Sequence, residues 1–286
     1  LNKKMKFRTF YSLFYQHRFK KASALRKFYL SIILPFKYMF NYFYFEKKIN
    51  LDKFSIKNSY LFEKNLDFLF EFFNSDKGDQ YINQYMHPSK KNKIKIQAHG
   101  YSKFYENIFH EIKDKKLNII ELGSFYGNAS AALYFYFKNS KIYGADINPD
   151  MFRFVSNRVK CFFVNSNSLL SIENNIIKKK IIFDIIIEDA SHMLKDQIIS
   201  LFYLFPQLNQ GGYFIIEELD FPETREDMRV NQQFPDLKTI LLNILNKKDF
   251  NSPYIDENSK NYLLDNLDTI KIYRGNINEM AIIKKK

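Results

Sequence analysis

From residue 116 onward, short apolar runs alternate with longer amphipathic stretches. Leu117–Leu122, Lys141–Asp146, Val159–Val164, Phe183–Glu188 and Gly212–Glu217 read as strands. Ala129–Phe137, Pro149–Asn157, Ser168–Ile177 and Lys195–Leu204 between them read as helices. Strands that are apolar without alternation are covered on both faces, so this order predicts a parallel sheet between helical layers, a Rossmann-like α/β fold. The end of the chain departs from that rhythm. Thr269–Tyr273 and Glu279–Ile283 flank Arg274-Gly275-Asn276-Ile277-Asn278 and predict a hairpin, which makes the last strand antiparallel. A dinucleotide dehydrogenase would continue instead with further parallel units.

Upstream, residues 1 to about 72 read as helical, with Ala22–Leu34 and Ser59–Phe73 as examples. The expected division is a helical N-terminal extension, 1–72, and an α/β domain, 73–286. Pro88–Lys95, with Lys90, Lys91, Lys93 and Lys95, reads as a basic linker loop. Tyr29–Phe45 is the most apolar stretch, but Pro35 and Lys37 interrupt it. It falls short of the roughly 18 uninterrupted apolar residues of a spanning helix. Its basic, aromatic character suits either peripheral contact with a membrane surface or packing on the main domain or a sister subunit.

Composition narrows the class. The 286 residues are 46% apolar, enough for a sizeable core, and carry a formal net charge of +13. That charge favours an anionic partner, be it a nucleotide-linked substrate, a nucleic acid or an acidic lipid surface, or else reflects a solvated lysine-rich surface. No RNA-binding module accompanies it, so nucleic acid is not the expected partner. The one cysteine, Cys161, excludes internal disulfides and cysteine-rich metal sites and is read as a core residue. With no secretory signal visible, the expectation is a cytoplasmic protein.

Candidate chemistry sits at the strand ends. The first strand leads through Glu121-Leu-Gly123-Ser124-Phe-Tyr-Gly127 into a helix. Gly123 suits a turn closed to residues with a Cβ, and the helix N-terminus offers free amides to a carboxylate or phosphate. The second strand ends at Asp146, 23 residues after Gly123, where an acidic side chain can accept from both ribose hydroxyls and would repel a 2′-phosphate. The fourth and fifth strands deliver Glu188-Asp189-Ala-Ser-His192 and Glu217-Glu218-Leu-Asp220 to the same rim. Carboxylates gathered there call for a cation, and oxygen ligands suit Mg²⁺, Mn²⁺ or Ca²⁺ better than zinc. His192 is placed to take a proton. Without the glycine turn, Glu188 and Glu217 would read as solvated strand-end acids and His192 as a helix-capping neighbour.

Together these segments resemble the S-adenosylmethionine site of class I methyltransferases. The resemblance implies that fold, with Glu121, Gly123, Ser124, Gly127 and Asp146 around the cofactor and Asn167 near its adenine. Ser75-Asp76-Lys77-Gly78 and His99-Gly100-Tyr101…Tyr105-Glu106 extend the likeness to the metal-dependent sugar O-methyltransferases of macrolide-sugar and capsule-sugar type, over roughly residues 75–286. From that likeness follow Lys77 at the cofactor, a Mg²⁺ or Mn²⁺ ion held by Glu106, Asp189 and Glu218, and His192 as base. Asp220 is a fallback ligand, because the family's third ligand is usually Asp. The implied substrate is a sugar or nucleotide-sugar. Charge alone, and not the resemblance, motivates the expectation that Arg225 and Arg229 of a lid over Phe221–Asp256, or the Lys90–Lys95 loop, grip a diphosphate. A catechol-type methyltransferase, an RNA methyltransferase and a non-catalytic membrane-surface adaptor are the rival readings. The aromatic N-terminal helices suggest self-association.

Overall fold

The computed structural model describes residues 6–15, 19, 22–40, 48–82 and 94–286. Its centre is a sheet of seven strands: β1 (Asn118–Leu122), β2 (Lys141–Asp146), β3 (Val159–Phe163), β4 (Phe183–Glu188), β5 (Leu208–Ile216), β6 (Leu267–Arg274) and β7 (Glu279–Lys285). The spatial order is β3-β2-β1-β4-β5-β7-β6. β1 to β5 are mutually parallel, and β7 runs antiparallel to both β5 and β6. The order reverses between β1 and β4, which opens a crevice at their C-terminal ends.

Two cores lie against the two faces of the sheet, and neighbouring residues of one strand serve opposite cores, as a side-chain period of two requires. Ile119, Ile185, Ile187 and Ile215 pack with Leu69, Phe70, Tyr105, Phe109 and Phe135. Ile120, Ile186, Phe214 and Ile216 pack with Ile198, Leu201, Phe202 and Leu241. The first layer is built by α4 (Leu66–Phe72), α5 (Ser102–Phe109) and α6 (Asn128–Tyr136), and the second by α7 (Leu169–Asn175), α8 (Leu194–Leu204), α10 (Leu237–Leu245) and α11 (Glu257–Asn266). Among the described residues, the remaining α-helices are α1 (Phe7–Phe14), α2 (Ala24–Phe40), α3 (Leu51–Lys57) and the short α9 (Phe221–Thr224). Leu51, Leu61, Leu66, Leu69 and Phe70 belong to the first core, so residues 51–73 are continuous with the sheet's packing. α1 and α2 form a separate small cluster, Phe10, Tyr15 and Leu34 with Met151. Among the described residues, no helix is long and apolar enough to cross a membrane.

Two expected elements differ. Pro149–Asn157 is not a helix. A short 3₁₀ turn covers Pro149–Met151, and Phe154–Val155 then pairs in parallel with Ile49–Asn50. Phe152 and Phe154 both go into the core, which a single helical face at that spacing would not allow. Ser59–Phe73 is broken into a 3₁₀ stretch, Ser59–Glu63, and α4, because Asn65 caps α4 by accepting from the Phe68 amide at 2.9 Å. Most of the Pro88–Lys95 linker lies outside the described residues. Lys95 is within them and pairs with Glu71.

Candidate active site

β1 ends in the turn that organises the crevice. Gly123 has φ +83°, and a Cβ on it would lie 1.9 Å from the carbonyl oxygen of Asp189. The glycine turn after β1 and the acid after β4 are therefore in direct backbone contact, and only glycine permits it. Gly127, also left-handed, is the N-cap of α6 and supplies no side-chain cap. Beside them, Asp146 is held by backbone amides at both oxygens, from Phe125 at 2.8 Å and Asn148 at 2.7 Å. Burial raises its carboxyl above the ordinary range, against the lowering effect of those two amides. Ser124 is buried on the same turn, its hydroxyl 3.8 Å from the Cys161 thiol. Cys161 itself is half-buried rather than fully in the core, and burial pushes its thiol up to about 12.

Beneath the crevice lies a layer of buried charge. Lys77 is 1% exposed, and its ammonium contacts Asp189, Glu217 Oε2 at 2.7 Å and Glu121 Oε1 at 3.4 Å. Burial disfavours that ammonium, but the surrounding carboxylates of Asp189, Glu217 and Glu121 outweigh it and hold Lys77 protonated well above the usual range. Ser130 donates to the other oxygen of Glu121 at 2.7 Å, and the Tyr105 hydroxyl donates to Glu217. Glu188 is fully buried with one oxygen unpartnered, and burial raises its carboxyl to about 7. Glu188 and Glu217 are thus not solvated strand-end acids.

Above that layer, the partly exposed Asp189 and His192 and the buried Glu218 each bring one ligand atom within 4.8 Å of the others. His192 and Glu218 adopt left-handed backbone conformations, φ +55° and +50°, which non-glycine residues rarely take. Such strain concentrates at functional sites. Glu218 is bracketed by two histidines, His192 Nε2 at 2.7 Å from Oε2 and His99 Nε2 at 3.0 Å from Oε1. Burial opposes charging both imidazoles, yet Glu218 raises the pKa of each, while they hold its own carboxyl well below the usual range. Nδ1 of both histidines is buried without a partner. Asp189 is held above the usual carboxylate range by burial, with Lys77 opposing and Glu217 and Glu218 adding to the rise.

The structure thus brings together Lys77, Glu121, Gly123, Asp189, His192 and Glu218, with Ser124, Gly127 and Asp146 along the neighbouring turn. It does not bring Glu106 to them. Tyr105 faces the site, and the next residue on α5 points about 100° away. Glu106 instead accepts from the Leu66 amide at 2.6 Å and the Tyr136 hydroxyl at 2.7 Å, tying α5 to α4 and α6. Asp220 is also engaged elsewhere, by Arg274 at 2.6 Å and the Glu279 amide at 3.0 Å. Asn167 is exposed and donates to Asp196 at 2.9 Å. Arg225 pairs with Asp227, and Arg229 donates to the carbonyls of Pro222 and Glu223, all within the expected lid. The Lys90–Lys93 part of the basic loop lies outside the described residues. His99 is the residue the sequence reading left without a role. Its turn is fixed from a distance, by the Asn276 amide of the terminal hairpin donating to the His99 carbonyl at 2.7 Å.

The donor set fits a hard divalent cation. Two carboxylates converge beside an imidazole, Glu218 Oε2 faces His192 Nε2 at 2.7 Å, and one oxygen of Asp189 remains beside His192 while Lys77 takes the other. The glycine turn, the uncapped start of α6 and Asp146 likewise fit a cofactor with a carboxylate and a ribose.

No family model matches the chain. A curated relative, 8-demethyl-8-alpha-L-rhamnosyl tetracenomycin-C 2′-O-methyltransferase of Streptomyces olivaceus, is 28% identical over 128 residues, covering 42% of this chain and 33% of that protein. Among solved structures, the MycE methyltransferase of mycinamycin biosynthesis with Mg and SAH superposes with a TM-score of 0.57 at 18% identity, covering 78% of this chain and 53% of that one. Its complex with Mg, SAH and mycinamycin VI gives 0.55 at 17%, covering 78% and 54%. The chain therefore spans about a third of the curated relative and about half of these solved chains. The likeness establishes a methyltransferase fold, in agreement with the parallel sheet and antiparallel C-terminal hairpin.

Proposed function

We propose that the chain is an S-adenosylmethionine-dependent, divalent-metal-dependent O-methyltransferase acting on a sugar hydroxyl, with residues 51–286 as the catalytic domain, since 51–73 pack into its core, and α1 and α2 as a helical extension. The observation that carries the reading is the backbone contact between Gly123 and Asp189, which abuts a cofactor turn on a strained cluster of Asp189, His192 and Glu218. A relative that methylates a rhamnosyl 2′-oxygen and a structural neighbour solved with Mg and SAH support it.

In this reading Asp146 would accept from the ribose hydroxyls, and Asp189 and Glu218 would hold the cation. A bound Mg²⁺ would polarise the acceptor hydroxyl and offset the carboxylate charge beside His192. His192 then accepts the hydroxyl proton as the acceptor oxygen attacks the sulfonium methyl in line. The O–C bond forms, the C–S bond breaks with its electron pair going to sulfur, and S-adenosylhomocysteine leaves. Lys77 holds Asp189 from below and keeps its second oxygen directed into the crevice. Positioning and electrostatics supply most of the rate. A nucleotide-activated capsule or surface sugar is the finer reading, motivated by the charge of +13. It requires a KM for the nucleotide-linked sugar well below that for the free sugar.

The test is transfer of labelled methyl from S-adenosylmethionine to a panel of rhamnosylated polyketides, nucleotide sugars and aromatic diols. A sugar methyl ether should form with Mg²⁺, disappear with EDTA, and drop in kcat by about 10²–10⁴-fold in His192→Ala. Methylation of the diols without the sugars, or near-normal turnover by the variant, would refute the acceptor class or the base.

A further inference from the structure

α2 has two faces with opposite fates. Leu34 is buried, and Leu30 and Tyr38 beside it are partly buried, in the small cluster with Phe10, Tyr15 and Met151. On the far side, Leu25, Phe28, Tyr29, Ile32, Phe36 and Met39 are exposed, from 52% at Ile32 to 84% at Leu25. At about 100° per residue, these six fall within an arc of roughly 100°, a continuous apolar stripe rather than scattered side chains. A stripe of that size on a surface marks an interaction site.

Charge decides what it meets. Residues 1–45 contain ten Lys and Arg and no Asp or Glu, the first acid being Glu46. Arg26, Lys27 and Lys37 are exposed on α2 itself. A second copy docking through this face would bring two wholly basic segments together, and like-charge juxtaposition opposes association. An anionic lipid surface complements the same segment at every charged position. Each Lys or Arg near such a surface contributes favourably, while aromatic and aliphatic side chains enter the headgroup–acyl boundary.

We propose that α2 lies in the interfacial plane of an anionic bilayer, apolar stripe inward, and holds the α/β domain at the membrane surface. The helix is too short and interrupted in hydropathy to span, so the attachment is peripheral and reversible. The inference does not depend on the methyltransferase reading.

Flotation of the full chain with lipid vesicles tests it. Vesicles containing phosphatidylglycerol should carry the protein upward, pure phosphatidylcholine vesicles should not, and raised salt should weaken the binding. Combined Phe28→Ser, Ile32→Ser and Phe36→Ser leaves the charge unchanged and touches only exposed side chains. It should lower partitioning onto the anionic vesicles at least about tenfold, with the melting temperature unchanged. Absence of flotation on anionic vesicles, or equal flotation of the triple variant, overturns the proposal. So does a dimer by sedimentation that the triple variant converts to monomer, which would make the stripe a subunit interface.

Discussion

Lys77 and Glu188 are both buried charged residues of the site, and each yields a prediction. Lys77 is surrounded by Asp189, Glu217 and Glu121 at 1% exposure, so Lys77→Met removes the cation that neutralises all three. Uncompensated buried charge of this kind typically costs about 3–5 kcal/mol, and urea unfolding at neutral pH should register a loss of that order. A variant as stable as the parent would mean that Lys77 is not the counter-ion of this layer. Glu188 carries the second prediction. Burial raises its carboxyl from 4.5 to about 7 in the folded protein. Between those values the unfolded chain binds fewer protons at this position, so folding stability falls as pH rises through the window. In Glu188→Gln that decline is absent. The melting temperature of the variant relative to the parent should therefore climb between pH 4.5 and pH 8, and a pH-independent difference would contradict the assignment. The residues legible from sequence were those at strand ends, Gly123, Asp146, Asp189, His192 and Glu218, because a parallel sheet sends every such end to one rim. His99 was not legible, since a backbone contact with Asn276 places it. Glu106 was misplaced by one residue on α5, where Tyr105 is the side chain that faces the site.

At the scale of elements, the β1–α6 turn and the β4–α8 connection act as one unit. The contact at Gly123 leaves no room between them, so Gly123→Ala must either displace the Asp189 backbone or abandon φ +83°. Binding of S-adenosylhomocysteine to Gly123→Ala should weaken by at least about tenfold while the far-ultraviolet circular dichroism stays that of the parent. Undiminished binding would show that the turn does not shape the cofactor site. The element boundaries were mostly readable from apolar runs. The exception over Pro149–Asn157 has a physical cause: alternating Phe152 and Phe154 need extended backbone to reach the core, and their partner strand, Ile49–Asn50, lies about a hundred residues upstream. Long-range pairing of that kind leaves no local signature. The break at Asn65 did leave one, an Asx cap before α4, but it sits inside a run whose hydrophobic spacing continues through it.

Across the whole molecule, charge is stratified. A buried layer of Lys77 with Glu121 and Glu217 underlies the cluster of Asp189, His192 and Glu218, while the basic surplus that gives the chain its +13 is dense over residues 1–45. The acidic crevice is suited to a cation and a cofactor, and the basic N-terminal segment to an anionic surface. The fold class was legible because strand–helix alternation and the terminal hairpin are global patterns. The stratification was not, because it depends on which side chains the sheet brings into register. The crevice is proposed to take S-adenosylmethionine beside a divalent ion. Calorimetric titration of EDTA-stripped protein with S-adenosylhomocysteine, repeated with Mg²⁺ present and then with a glycosylated acceptor, tests it most directly. Micromolar cofactor binding, with acceptor binding only when Mg²⁺ is present, is the predicted result. No cofactor binding under any of these conditions would contradict the account and leave a methyltransferase fold put to another use.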